Sequence, residues 1–360
     1  MLNLDYNITN LKDKTILITG GASGLGAAFS TRWASAGAQV IIGDINPSGE
    51  TTVAQIRSET SNNNVHFIHL DVTSWTSQVN FFRQAIQLSP HGGIDAVVAS
   101  AGINNANESR SFETPTIDYL TDPNPPPPGL KTVDVNLTGV LYTVHLAQWF
   151  LPRNPGSHNL AGQPSSSSSP RDRHLLLIGS IASLHPLASQ VPYTITKHAV
   201  LGLFRCLRVT APVTTGIRVN IVCPYYTDIG LMSGPARVIL AGVPIGKPED
   251  VVEAATYLMA NQECSGRSLA TGPRLKLDLP DGVYLKRDSV EEIVQYTVDE
   301  GGDEERGVWD CRLHDVETAD VFTDRMLKAV KAVVAARGWI GWGKGLVGAL
   351  VWPVWKYWTK

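Results

Sequence analysis

Short apolar runs alternate with stretches of helical period along the first three quarters of the chain. Residues 15–19 (TILIT), 39–43 (QVIIG), 65–70 and 95–100 (DAVVAS) are apolar and β-branched, and each is bounded by turn-forming residues. Each predicts a buried strand. Residues 175–178 (LLLI) and 216–223 (GIRVNIVC) repeat the pattern, and 265–273 would finish the sheet. Helical spacing recurs at 27–36, 79–88, 131–150 and 251–259, and in a stretch that carries Tyr193 and Lys197 and runs to about residue 210. Strand and helix in strict alternation predict an α/β fold, a Rossmann-type doubly wound parallel sheet with helices on both faces.

Two inserts interrupt this alternation. Residues 123–129 (PNPPPPG) predict a stiff, extended surface connector. Residues 153–173, with five consecutive serines at 165–169, predict a flexible loop. The pattern places a core domain at residues 1–274 and an extension at 275–360. Within the extension, 299–306 is acidic and 318–336 has the spacing of an amphipathic helix. Trp339, Trp342, Trp352, Trp355 and Trp358 follow, interrupted by Lys344 and Pro353. That run is too short and too broken for a membrane span. Lysine-flanked tryptophans suit a peripheral membrane contact through 338–360. The other reading is that this helical, Trp-rich tail packs over a substrate pocket or a neighbouring subunit.

Composition narrows the function classes. The 360 residues are 43% hydrophobic and 18% charged, enough to fill a large core. A net charge of −3 argues against a nucleic-acid partner. Cys206, Cys223, Cys264 and Cys311 have no metal-type spacing and read as reduced thiols of a cytoplasmic protein without a metal site. The first residues lack the apolar core of a signal peptide, so the sequon at 7–9 reads as chance.

The candidate chemistry sits at predicted strand ends, the edge where open α/β sheets bind ligands. Between the first strand and its helix, GGASGLG places Gly20, Gly24 and Gly26 in a turn that a diphosphate could approach, with a helix N-terminus behind it. Glycine clusters also make ordinary turns; the order strand, glycine turn, helix favours the dinucleotide reading. Asp44 ends the second strand, at the spacing of an acid that bonds the adenosine ribose hydroxyls. A carboxylate there would repel a 2′-phosphate, and the glycine loop holds no arginine to receive one, so NAD is preferred and NADP possible. The alternative role for Asp44 is to cap the next helix, near Pro47. Tyr193 and Lys197, four apart on one helix face, present a phenol beside an ammonium. A neighbouring cation favours a phenolate, and a phenol so tuned works as an acid or base near neutral pH. The pair alone is also a common surface arrangement, a half-buried tyrosine with a snorkelling lysine.

Taken together, TGGASGLG at 19–26, Asp71–Val72, Asn136 in VDVNLTG, and Ser180, Tyr193 and Lys197 in that order resemble the short-chain dehydrogenase/reductase family over about residues 12–274. The resemblance implies hydride transfer between NAD(P) and a secondary alcohol or ketone. Ser180, Tyr193 and Lys197 would be catalytic, with Asn136 helping to hold a water and the lysine. It places the cofactor on the loop Gly20, Ala22, Ser23, Gly24, Leu25 and Gly26. Asp44, Asp71 and Val72 would contact the adenosine, and Ser100, Ala101 and Gly102 would line the next strand end. Tyr193, Lys197, Pro224, Tyr226 and Thr227 would face the nicotinamide half. Gln190 and residues 196–205 (TKHAVLGLFR) resemble the 15-hydroxyprostaglandin dehydrogenase branch, where a glutamine positions substrate, and the whole has the character of a fungal tailoring enzyme. Tyr225 and Met232, in a variable lid at 225–242, point to a small lipophilic substrate; the same apolar residues could simply pack the lid. Relatives pair through the helices holding Asn136 and Tyr193, so a homodimer or homotetramer is expected. The chain departs from the family at three places: Ser100 replaces an asparagine, Tyr225 a glycine, and Ile229 a threonine that Thr227 would have to replace. Two other readings stand beside this one: a cyclase or epimerase that retains its cofactor, and a membrane-associated protein without enzymatic activity.

Overall fold

The structure, a computed structural model of the chain, describes residues 4–157, 171–185, 187–227, 245–275 and 306–311. Eight strands form one sheet: β1 (Thr15–Thr19), β2 (Gln39–Asp44), β3 (Val65–His69), β4 (Ala96–Ala99), β5 (His174–Ile178), β6 (Arg218–Pro224), β7 (Ser268–Leu275) and β8 (Arg306–Asp310). Their order is β3-β2-β1-β4-β5-β6-β7-β8. All neighbours pair in parallel except β7 and β8, which are antiparallel. The chain reverses its winding between β1 and β4, and the crevice at that switch point is the expected ligand site.

The central strands alternate their side chains between two cores, as a pleated strand must. Leu17, Ile41, Val97, Leu175 and Leu177 point to one face, where Phe81, Phe82, Val144 and Phe204 cover them. Ile16, Ile18, Ile42, Val98 and Leu176 point to the other, against Phe29, Trp33, Ile56 and Leu258. The first cover comes from helices α3 (Trp75–Leu88), α6 (Val140–Phe150) and α7 (Val191–Thr214). The second comes from α1 (Gly24–Ser35), α2 (Gly49–Thr60) and α8 (Pro248–Ala260). The remaining helices are α4 (Ala106–Glu113) and the short α5 (Lys131–Val133). The doubly wound sheet is the predicted fold.

Element ends differ from the sequence pattern where caps, not apolar residues, set them. The helix expected at 79–88 begins at Trp75, because the Ser74 side chain accepts the Ser77 N–H as an N-cap. Helices α2 and α4 were not legible, since α2 buries only Gly49, Val53 and Ile56, and α4 only Glu108 and Ser109. The helix expected at 131–150 is interrupted by a π-helical turn, Asp134–Gly139. β8 comes from the segment expected as extension. The chain divides into two units, residues 1–311 and 312–360, and the second lies outside the described residues.

The insert expected to be flexible over 153–173 is anchored at both described ends. Leu151–Arg153 form a 3-10 turn, and Asp172 and Arg173 are buried. Asp172 accepts from Lys14 Nζ at 2.7 Å and, through two oxygens, from Arg218 Nε at 2.8 Å and Nη2 at 2.6 Å. Arg218 also donates to the carbonyls of Leu258 and Met259 at the end of α8. These residues stand where β1, β5 and β6 begin, at the edge of the sheet opposite the switch-point crevice.

Candidate active site

At the end of β1 the chain turns with no room to spare. Gly20 has φ +71°, and a Cβ on it would lie 2.7 Å from Ala101 Cα. A Cβ on Gly26 would lie 2.3 Å from the Gly20 carbonyl oxygen, so only glycine lets α1 start against the loop. Ser23 is the N-cap of α1, but its side chain makes no capping hydrogen bond. The first N–H groups of α1 are thus left to an outside acceptor, and a diphosphate fits that cradle. Asp44 does not cap α2. One of its oxygens accepts the Ala22 N–H at 3.0 Å and the other the Asn46 N–H at 2.9 Å. The carboxylate braces the glycine loop while remaining half-exposed beside it.

Asp71 and Val72 follow β3. Asp71 Oδ1 accepts from Thr73 N at 2.9 Å, and the Asp71 N–H donates to Ser77 Oγ at 3.0 Å, which fixes the turn. Val72 packs on the Gly139 backbone at the π-helical turn. After β4, the N–H groups of Ser100 and Ala101 both donate to Thr19 Oγ1 at 3.2 Å. Thr19, the first residue of the TGGASGLG motif, thereby ties the end of β1 to the turn after β4, a role that sequence reasoning did not assign to it.

The catalytic candidates converge at the end of β5. Ser180 caps a 3-10 turn, Ile181–Ser183: its Oγ accepts from Ala182 N at 3.1 Å, which leaves its own proton free to donate. The burial of the neighbouring Cys223 thiol pushes it up to about 12, so it is a packing group behind Ser180. Lys197 is buried, and its Nζ donates to the Ile178 carbonyl at 3.0 Å while lying 5.7 Å from the centre of the Tyr193 ring. Asn136 is fixed at both ends of its amide, accepting from Ile103 N at 2.8 Å and donating to Ile103 O at 2.8 Å. A Cβ on Gly102 would stand 3.4 Å from Asn136 Oδ1 and 3.8 Å from Lys197 Nζ, so the three groups share one corner.

Around the mouth, Gln190 precedes α7 and accepts from Asn104 Nδ2 at 2.9 Å. Burial, above all, raises the Tyr226 phenol above the ordinary tyrosine value. Tyr225 packs edge-on against Tyr226, with the ring centres 5.1 Å apart. Pro224 ends β6, and Thr227 is buried, its hydroxyl donating to the Tyr225 carbonyl at 2.9 Å. Met232 and Ile229 lie outside the described residues, as does the rest of the expected lid to residue 242. Two carboxylates the sequence did not flag steady the frame. Glu113 accepts the Val191 N–H at the start of α7, and buried Glu108 accepts the Thr132 N–H at the start of α5. Both are caps made across the fold, with no local spacing to reveal them.

Residues 20–272 match the family described as enoyl-(acyl carrier protein) reductase. The 5′-hydroxyaverantin dehydrogenase of Dothistroma septosporum is 35% identical over 298 residues, covering 78% of this chain and 92% of that relative. The 5′-hydroxyaverantin dehydrogenase of Emericella nidulans is 32% identical, with 78% and 92% covered. The solved 3-ketoacyl-(acyl-carrier-protein) reductase of Brucella melitensis, complexed with NADH, shares the fold at a TM-score of 0.56 and 23% identity, over 73% of this chain and 98% of that one. The chain belongs to the short-chain dehydrogenase/reductase family, NAD(P)-dependent oxidoreductases acting on CH–OH groups.

Proposed function

We propose that the protein interconverts a lipophilic secondary alcohol and its ketone, with Tyr193 as the general acid and base. The observation that carries this is the grouping of Ser180, Tyr193, Lys197 and Asn136 at the end of β5, beside a glycine loop shaped for a diphosphate. A bound nicotinamide supplies the hydride donor or acceptor. In oxidation Tyr193 takes the carbinol proton; in reduction it gives the proton back to the carbonyl oxygen. Ser180 donates its free proton to the same oxygen and steadies the negative charge that develops there. The Lys197 ammonium, fixed by the Ile178 carbonyl, would hold the nicotinamide ribose. Asn136 gives its side chain to Ile103 and, at 3.4 Å, to Thr196 Oγ1, and would support a proton relay through a water from within the π-helical turn. Gln190, with the stretch after the tyrosine, supports a substrate-positioning role like that of the 15-hydroxyprostaglandin dehydrogenase branch.

The test is parallel titration of NAD(H) and NADP(H), followed by absorbance assays on lipophilic secondary alcohols and ketones. Turnover that disappears in Tyr193→Phe supports the reading; binding of neither cofactor removes it. Asp44 supports a preference for NAD, because a 2′-phosphate at the end of β2 would meet its charge. Asp44→Asn keeps an oxygen for the Ala22 N–H and removes that charge. The kcat/KM ratio of NAD over NADP is expected to fall by at least about tenfold, a change of about 1.4 kcal/mol. An unchanged ratio would assign Asp44 to the loop alone.

An open apolar groove of about 610 Å³ runs over α3, α6 and α7, lined by Trp75, Leu141, Tyr142, Val144, His145, Gln148 and Leu203. Trp75 and Leu141 are 42% and 43% exposed there. This face supports a homodimer or homotetramer paired through α6 and α7. Light scattering is expected to give a multiple of the chain mass, and Leu141→Glu to give a smaller species; a monomeric parent protein would refute the pairing. Among the described residues no helix is long and apolar enough to cross a membrane. The tryptophans of 338–360 lie outside them.

A further inference from the structure

The segment from Ile103 to Glu113, which includes α4, is bonded both to the turn that carries Asn136 and to the helix that carries Tyr193. Asn136 Oδ1 accepts the Ile103 N–H, and its Nδ2 donates to the Ile103 carbonyl, each at 2.8 Å. The same Nδ2 reaches Thr196 Oγ1 at 3.4 Å, and that hydroxyl donates to the Tyr193 carbonyl at 2.7 Å. At its other end the segment returns to α7, where Glu113 Oε1 accepts the Val191 N–H at 3.1 Å. Hydrogen bonds and chain together make a closed circuit: Ile103, Asn136, Thr196, Tyr193, Val191, Glu113 and back through α4.

Glu113 is the link in this circuit that local structure does not explain. It is the last residue of α4, where a carboxylate opposes the helix dipole, yet it meets the start of α7, where a carboxylate is favoured. Gln190, the residue placed to cap α7, makes no side-chain cap bond; its Oε1 accepts from Asn104 Nδ2 at 2.9 Å instead. Pro192 has no N–H, and the helix's own bonding is under way at Thr194, which donates to the Gln190 carbonyl at 2.8 Å. Glu113 therefore supplies from across the fold the cap that the first turn lacks, two residues before Tyr193. Lys197 needs no such help, because its Nζ is fixed on the Ile178 carbonyl at 3.0 Å. We propose that Glu113 is a positioning residue: through Val191 it fixes the first turn of α7, and with it where the Tyr193 phenol stands relative to Lys197. The proposal rests on the hydride-transfer reading for what that phenol does.

The test compares the full chain with Glu113→Ala, which removes the acceptor, and Glu113→Gln, which keeps one. Reduction of 1-tetralone by NADH and by NADPH reads the chemistry, cofactor titration counts the competent sites, and deuterium uptake of the peptide holding Val191 reads the turn. Glu113→Ala is expected to speed that uptake and to lower kcat per competent site roughly tenfold, short of the hundredfold that a 1 Å misplacement can cost. KM and the cofactor Kd should change by less than about twofold. Glu113→Gln should recover most of both losses. A carboxylate that only stabilised the fold would instead lower Tm and the number of competent sites, with the rate at each site unchanged. Unchanged uptake in Glu113→Ala, faster uptake with kcat intact, or a Gln variant as slow as the Ala variant would overturn the inference. Turnover that is lost in Tyr193→Phe but unaffected in Glu113→Ala would leave hydride transfer standing and remove only this inference. A parent chain without turnover would remove the hydride-transfer reading and, with it, the role given to Glu113, whatever the uptake shows.

Discussion

Tyr193→Phe is expected to lower kcat by roughly a thousandfold or more, within the 10²–10⁴ range of a positioned general acid or base. The substitution removes one oxygen. The ring remains on the face of α7 that Lys197 shares, 5.7 Å from its Nζ, so packing and charge stay in place. Cofactor binding should persist, because the glycine loop and Asp44 belong to β1, β2 and α1, elements that Tyr193 does not build. KM should change much less than kcat, since the lost interaction is proton transfer in the transition state and not ground-state binding. Steady-state kinetics beside a cofactor titration reads all three quantities. A variant that keeps more than a tenth of the parent kcat would transfer the proton's role to another group, and Tyr226 would be the first candidate.

The largest effect on stability is expected from Asp172→Asn. Asp172 is 7% exposed and receives Lys14 and both arms of Arg218, whose own surroundings are buried carbonyls. Removing the carboxylate charge leaves two cations buried without their anion. Breaking a buried pair in this way costs about 3–5 kcal/mol. For a domain of this size that is a fall in Tm of roughly 6–20 °C. A drop under 2 °C in a thermal melt would show that the network contributes little. The same cluster sets a pH dependence. Arg218 and Lys14 hold the Asp172 carboxyl well below its ordinary 3.8 against the opposing effect of burial, so its contribution is present above 3.8 and is lost as pH falls below that value. Burial holds His174 far below its ordinary 6.5, so the unfolded chain takes up a proton there that the folded chain refuses. Lys14 is lowered as well, chiefly by burial. All three shifts have one sign: the unfolded state binds more protons, and stability falls as pH falls. In urea melts the decline should begin with Lys14 below about pH 10.5, grow with His174 below about pH 6.5 and steepen with Asp172 below about pH 4, and Asp172→Asn should lose the last step.

The sequence carried the fold because the strands are unusually plain. TILIT, LLLI and their neighbours are apolar throughout, as strands buried on both faces must be. It offered a candidate chemistry because the glycine turn, Asp44, Ser180, Tyr193 and Lys197 are local in sequence or fall at strand ends. What it did not show is long-range and polar. Nothing near Asp172 announces Lys14 or Arg218, so the end of a serine-rich insert read as loop when it is buried. Thr19 as the acceptor for Ser100 and Ala101, Glu113 as the cap of α7, and Asn104 as the partner of Gln190 are pairings that only the assembled sheet creates.

The pairing of β8 with β7 bears on how the protein is made. β7 ends at Leu275 and β8 begins at Arg306, with residues 276–305 between them in sequence. On the ribosome, the glycine loop, the serine, tyrosine and lysine, and seven parallel strands are all synthesised before the strand that closes their sheet. Until residue 306 is released, the outer edge of β7 offers unpaired N–H and carbonyl groups to whatever strand is nearby, the usual starting point of edge-to-edge association. Closure is then close: a Cβ on Gly307 would fall 2.3 Å from a carboxylate oxygen of Asp250, so β8 runs directly beside the first turn of α8. A chain cut after Leu275 would keep every residue of the proposed chemistry and still carry an open sheet edge, and its fate would be decided by aggregation rather than by catalysis.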